Sequence, residues 1–415
     1  MNPVNLSAGL ALVLLTEIGR ADPLDTWSSG SPLPQVGLSA IAYAQEEVVA
    51  VGWPGAILTS ADGVNWVQRQ SNIHAGTNSE LYGIAYGNGQ FVAVGVTATI
   101  GGTVVLGYTG TIVTSTDGVS WIQPQSGTQS PLQGIAYGKG QFVVVNEFDT
   151  TLLTSADGLN WEQRQSSIQT GTYVQMGLFG IAYGNGRFVA VGKAKENTGT
   201  KGDVLSSPVI LTSADGVNWL SQVLGAQPYT GINAVTYGNG QFVAVGAGYS
   251  PDLLEAGRAI ILTSTDGTNW VQHQSAATTG LHAVTYASGQ FVTAGSRGGI
   301  LTSLDGVTWV KRPSATEDSL SGLGYGNGHF VAVGWYPTIL QSDSIVTLAI
   351  APTIGKGLLE LSLEGPTGLA YAVQTSTDMI SWRNLTNITS AQPTSIIFDA
   401  LPIASDRVFY RAYSQ

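Results

Sequence analysis

The chain has 415 residues, of which 43% are hydrophobic, 10% are charged and 54 are glycine, the profile of a turn-rich β protein with room for more than one domain. A net charge of −11, from 27 acidic against 16 basic residues with no Lys/Arg run, argues against nucleic acid as a partner. Zero cysteines exclude disulfides, thiolate nucleophiles and Cys-ligated metals together.

Ala8-Gly9-Leu10-Ala11-Leu12-Val13-Leu14-Leu15 is an apolar run of signal-peptide length, too short to span a bilayer, and Gly19-Arg20-Ala21 offers small residues at cleavage spacing. Residues 1–22 are therefore expected to be a signal or an apolar N-terminal segment, and the protein to be periplasmic, extracellular or on a bacterial cell surface. Met1–Ser7 carries no Lys or Arg, so the alternative is an uncleaved buried strand or short helix.

From Asp25 the chain repeats itself. The block Leu81-Tyr82-Gly83-Ile84-Ala85-Tyr86-Gly87-Asn88-Gly89-Gln90-Phe91-Val92-Ala93-Val94-Gly95 returns around Tyr137, Tyr183, Tyr237, Tyr286 and Tyr325, with a degenerate first copy around Tyr43. Every copy but the last continues into Thr-Ser-x-Asp-Gly-x-x-Trp, which places Asp62, Asp117, Asp157, Asp215, Asp266 and Asp305 ahead of Trp66, Trp121, Trp161, Trp219, Trp270 and Trp309. Locally, Gly-Ile-Ala-Tyr reads as a strand, Gly-Asn-Gly as a tight turn, Gln-Phe-Val-Ala-Val as a second strand, Ile-Leu-Thr-Ser as a third and Trp-Val-Gln-Arg-Gln as a fourth. Four antiparallel strands per repeat make a propeller blade.

The seventh copy stops at Asp343 without its Gly-x-x-Trp and outer strand. Asp25-Thr26-Trp27-Ser28-Ser29 supplies them, because Trp27 precedes Trp66 by the interval that separates Trp270 from Trp309. The predicted fold is all-β: a seven-bladed β-propeller over 23–345, closed by the N-terminal strand, then a small β-sandwich over 346–415. In that last segment the predicted strands are Leu358–Leu363, Tyr371–Thr375, Thr394–Phe398 and Arg407–Ala412, and Ser376-Thr377-Asp378 with Trp382 looks like an echo of the blade turn.

The repeated turn resembles the Asp-box (BNR) of sialidase-type propellers and of photosystem II assembly factors over residues 23–343, differing in that Gly63 follows Asp62 directly. The resemblance implies a propeller with structural turns, and the C-terminal segment is similar to small modules of secreted bacterial proteins that serve attachment or sorting. In the turn, each Asp is placed to accept backbone N–H groups and the next Gly to take positive φ.

Function is expected on the face carrying the second-to-third strand loops. These include long insertions at Val96–Gly110, Lys193–Pro208 and Ala247–Arg258, while the opposite face is nearly uniform. Two features of that face are candidate binding sites. Trp53 and Trp335-Tyr336 occupy short loops of neighbouring blades, a platform for a sugar ring or an apolar side chain. One position at the start of the inner strand varies in a motif otherwise repeated closely: Ser39, Tyr82, Gln133, Phe179, Asn233, His282 and Ser321.

No catalytic set emerges. Arg69 and Arg164 share one place in the outer strand and Arg187 replaces a Gln at the hairpin, leaving Arg258 and Arg297 on the loop face, so a sialidase arginine triad is not expected. Glu80, Glu147, Asp149, Asp203, Asp252, Glu255, Glu317 and Asp318 are loop-face carboxylates of which no spacing selects two. His74, His273, His282 and His329 lack metal-ligand spacing, and neither metal nor cofactor is expected. The leading expectation is a non-enzymatic exported propeller that binds a glycan or protein. The alternatives are a sialidase- or glycosidase-like hydrolase, and a subunit of a surface assembly that self-associates through its N-terminal segment or C-terminal sandwich.

Overall fold

The computed structural model describes residues 23–30, 36–73, 78–101, 104–148, 151–165, 173–196, 205–224, 227–228, 231–248, 258–275, 277, 279–345, 347–353, 358–364, 370–376, 381, 383–389, 394–400 and 409–414. The expectations for 1–22, His74, Asp149, Asp203, Asp252, Glu255, Trp382 and the tips of the three long loops fall outside them. Leu24–Asp343 forms one compact unit, and the chain from Ser344 belongs to another.

The first unit is a seven-bladed β-propeller. Its inner strands are Gly37–Ala44, Asn78–Gly87, Leu132–Gly138, Tyr173–Gly184, Gly231–Gly238, Leu281–Ala287 and Leu320–Gly326, each packed against the next and the last against the first. Each blade is an antiparallel meander from inner strand to rim. The ring closes at blade seven, whose rim strand is Trp27–Ser29, paired Trp27↔Ser342, Ser28↔Gln341 and Ser29↔Leu340. Asp343 N–H donates to Thr26 O (3.2 Å), continuing that ladder.

Blade two departs from four full strands. Its rim strand shrinks to a single bridge, Thr114↔Ile122. Where blade one has Arg69, paired with Ile57, blade two has Pro124, which has no N–H to give the ladder.

The repeat turn follows one plan, seen in blade one. Asp62 Oδ1 accepts the N–H groups of Val64 (2.9 Å) and Asn65 (2.7 Å), Ser60 Oγ accepts the N–H of Gly63 (2.8 Å), and Trp66 Nε1 donates to Gly63 O (2.9 Å). Gly63 sits at φ +75°, where a side chain would be strained. The tryptophan thereby packs between blades: Trp121 is 1% exposed in a cluster that joins Val49, Val51 and Ile57 of blade one to Leu81, Phe91 and Val113 of blade two. Burying such side chains contributes roughly 1.5–3 kcal/mol each and is the main force holding blade to blade.

A polar clamp supplements this packing. In the hairpins of blades two, three and five the residue at left-handed φ and the glutamine after the glycine reach the next blade's turn: Asn239 Nδ2 donates to Leu304 O (3.3 Å) and Gln241 Nε2 to Asp305 O (2.6 Å). Lys139 and Gln141 do the same toward Ala214 O (3.0 Å) and Asp215 O (2.5 Å). One Asn-Gly-Gln sequence thus both turns the chain and fastens the neighbouring blade.

The C-terminal unit contains two three-stranded antiparallel sheets. One is Thr347–Thr353, Leu358–Glu364 and Thr394–Ala400; the other is Arg383–Thr389, Ala370–Ser376 and Phe409–Ser414. Thr347–Thr353 and Arg383–Thr389 are additional to the strands expected from sequence, and Leu361, Leu363, Tyr371, Val373 and Tyr410 share one apolar cluster.

Candidate functional site

The variable inner-strand position has a structural cause. Each of its residues is the one skipped where the pairing of first and second strands shifts register: Ser39 between Leu38 and Ala40, Tyr82 between Leu81 and Gly83, Phe179 between Leu178 and Gly180. Gln133, Asn233, His282 and Ser321 occupy the equivalent bulges. A bulged residue is released from the ladder and re-aimed. All seven line one cavity of about 290 Å³ on the ring axis.

Their polar groups are mostly engaged. Gln133 Nε2 donates to Glu147 Oε2 (2.9 Å), Asn233 Nδ2 to Leu281 O (2.7 Å), and His282 Nε2 pairs with Ser296 Oγ (2.9 Å). Lys193 Nζ stands 5.1 Å from the Phe179 ring centroid. Burial lowers the Lys193 ammonium and the His282 imidazole from their ordinary values, which favours their neutral forms.

A second, larger cavity of about 610 Å³ opens beside the axis between blades seven, one and two. It joins the two candidate features, because Trp53, Trp335 and Tyr336 line it together with Tyr82. Trp53 is 42% exposed, Trp335 53% and Tyr336 68%, so these rings face solvent rather than cover a core. Trp53 Nε1 donates to Asn78 Oδ1 (3.0 Å), fixing that indole. The fourth wall is Tyr108, carried by the third strand of blade two, Val104–Ser115, whose hairpin with Gln90–Gly101 extends past the blade.

Among the described lining residues Glu80 is the single carboxyl, and none is basic. Tyr82 OH donates to Glu80 Oε2 (2.9 Å), while Glu80 Oε1 is buried and has no hydrogen-bond partner. Burial raises the Glu80 carboxyl above the usual carboxylate range against the lowering effect of the Tyr82 bond, and Glu147 raises it further. Burial and the two carboxylates also raise the Tyr82 phenol.

Sequence reasoning named Glu80 only as one of eight loop-face carboxylates and did not single out Tyr108. The signal for Tyr108 was the long blade-two insertion, and Glu80 pairs with Val96 at its start. Arg297 lies apart from this cavity in a short 3-10 turn, Ser296–Gly298, at φ +54°. Arg69 and Arg164 point back to Thr59 Oγ1 (2.9 Å) and Thr154 Oγ1 (3.1 Å) within their own blades, so they brace rim strands. The six aspartates of the repeated turns hold backbone N–H groups far from either cavity's lining.

No protein-family model matches the chain, and no curated protein matches it. Solved structures share its architecture at low identity. YCF48 bound to D1 peptide is 15% identical with a TM-score of 0.53, covering 80% of this chain and 98% of that one. A catalytically inactive virginiamycin B lyase from Staphylococcus aureus with quinupristin is 12% identical with a TM-score of 0.57, covering 77% of this chain and 99% of that one. The likeness extends to the β-propeller fold.

Proposed function

We propose that the protein is a binding propeller, exported rather than catalytic, whose principal site is the aromatic cleft between blades seven, one and two and whose ligand is a segment of another protein. The observation that carries this reading is the cleft itself: Trp53, Tyr108, Trp335 and Tyr336 line about 610 Å³ on a rigid ring. Large amphipathic rings in a concave site are the usual anchors of protein recognition. A glycan would need several free polar partners, whereas Asn78 is engaged by Trp53 and Ser79 by Thr97 (3.0 Å). That a neighbouring fold, YCF48, is seen with a bound peptide is in keeping with this use of a propeller. Hydrolysis of a glycoside would need a second carboxyl facing Glu80, and among the described lining residues Glu80 is the single carboxyl.

The test is to probe peptide and glycan arrays with the wild-type protein and with Trp53→Ala/Trp335→Ala. Peptide binding that disappears in the double variant supports the reading. Glycan binding that disappears while peptides are ignored would replace it with sugar recognition, and release of a reporter sugar would overturn it.

A further inference from the structure

The cleft is not chemically neutral. Five aromatic side chains line it, Trp53, Tyr82, Tyr108, Trp335 and Tyr336, and the faces of such rings carry the negative end of a quadrupole. Among the described lining residues the single charge is the Glu80 carboxylate. One of its oxygens takes the Tyr82 hydroxyl; the other is buried and accepts nothing. A buried acceptor left unpaired costs on the order of 1–3 kcal/mol, more when charged, so this carboxyl is incompletely matched by the protein's own groups.

An anionic ligand would meet Glu80 and ring faces with no basic side chain among the described lining residues to offset them. The indole N–H of Trp53, one polar edge that could greet an anion, is spent on Asn78. A purely apolar ligand would fill the volume but leave the Glu80 carboxyl as unpaired as before. A cation with an apolar sheath satisfies both walls: the charge lies against aromatic faces and opposite Glu80, and the methylenes or methyls occupy the rest. The overall charge of −11 adds attraction at longer range.

Resting on the cleft as the binding site, we propose that its ligand presents a positively charged alkylammonium or guanidinium group, such as a Lys, Arg or methylated Lys side chain of the bound segment, which the aromatic rings enclose and Glu80 neutralises. Glu80 is then the residue that determines specificity, and the aromatic rings supply affinity.

The experiment titrates the full-length protein with choline and, separately, with 3,3-dimethylbutan-1-ol, which has the same shape and no charge, following tryptophan fluorescence. Choline should bind at least tenfold more tightly than the alcohol. Glu80→Gln should erase most of that ratio while the melting temperature holds, and Trp335→Ala should weaken both ligands. Equal binding of the two compounds would overturn the cationic ligand while leaving the cleft as a site. Binding of neither at millimolar concentration would also overturn it, whereas the array experiment with Trp53 and Trp335 judges the cleft independently.

Discussion

Ser28 lies opposite Gln341 in blade seven although 313 residues separate them, and this pairing closes the ring. Leu24 (0% exposed) and Trp27 (6%) are buried beside it, Trp27 Nε1 donates to Leu24 O (2.9 Å), and Arg312 of blade six holds Asp25 at 2.8 Å.

Deleting residues 1–30 should therefore unzip blade seven and destabilise the whole propeller, since both the rim pairing and the buried anchor are lost. Trp27→Ala is the finer probe, expected to cost about 3–5 kcal/mol as other buried Trp truncations do. Urea unfolding measures it. A loss below about 1 kcal/mol would mean that the ring does not depend on this closure.

Acid should weaken the ring through its turns. The backbone N–H groups of Ser120 and Val119 hold the Asp117 carboxyl down to about 2, and those of Thr308 and Val307 do the same for Asp305. A carboxyl depressed in the folded state contributes stability that is present above its unfolded value near 3.8 and lost as pH falls toward 2. The turn carboxylates should thus add a fall in melting temperature between about pH 4 and pH 2, separate from the loss that begins nearer 6.5 as His282, held neutral by burial, takes a proton. Asp117→Asn/Asp305→Asn keeps an acceptor oxygen for the same N–H groups and removes two titrations, so its acid limb should be shallower. An unchanged limb would place the acid sensitivity elsewhere.

Blade seven carries an exchange that tests the inter-blade clamp. In blade two, Gln90 Nε2 donates to Asp157 O, and Thr114 Oγ1 donates to Gln90 Oε1 (3.0 Å), so the amide is fully used. In blade seven the equivalent positions hold His329 and Gln341. Gln341 Nε2 reaches Asp62 O (3.1 Å) from the third strand instead, leaving its own Oε1 buried without a partner. Gln341→Thr should lose about 1 kcal/mol with the bond to Asp62. Adding His329→Gln should restore that loss by rebuilding the blade-two arrangement, and a double-mutant cycle reads the coupling. A double variant no more stable than Gln341→Thr alone would show that the two positions do not act as one clamp.

These pairs mark what the repeat made legible. Blade number, closure by Trp27 and the structural role of Asp62 could be read because they recur, and recurrence reports packing that every blade needs. The ring of bulged residues was visible for the opposite reason: Tyr82, Gln133, Phe179 and their equivalents vary where all else is constant. The cleft was legible only in part. Trp53 and Trp335 stood out as aromatics in short loops, but Glu80 became distinct only when folding buried one of its oxygens and set Tyr82 against the other. Blade two's lost rim strand was written in Pro124, whose effect depends on the ladder it interrupts.

The long hairpin of blade two has a further consequence. Rim strands pair only near the end of the third strand, as at Ile57–Thr59 in blade one, so the outer edge of Val104–Ser115 has no strand partner among the described residues from Val104 to Thr109. The edge is apolar and open: Val104 is 60% exposed and Leu106 69%, with no charged residue between Gln90 and Asp117. Unguarded apolar edges recruit further strands, and lysine on the edge prevents it. Val104→Lys/Leu106→Lys should therefore suppress concentration-dependent association seen by light scattering, while surface changes of this kind leave stability within about 0.5 kcal/mol. If the wild-type protein stays monomeric at high concentration, or the lysine variant associates as strongly, this edge does not recruit strands and the hairpin serves only to wall the cleft with Tyr108.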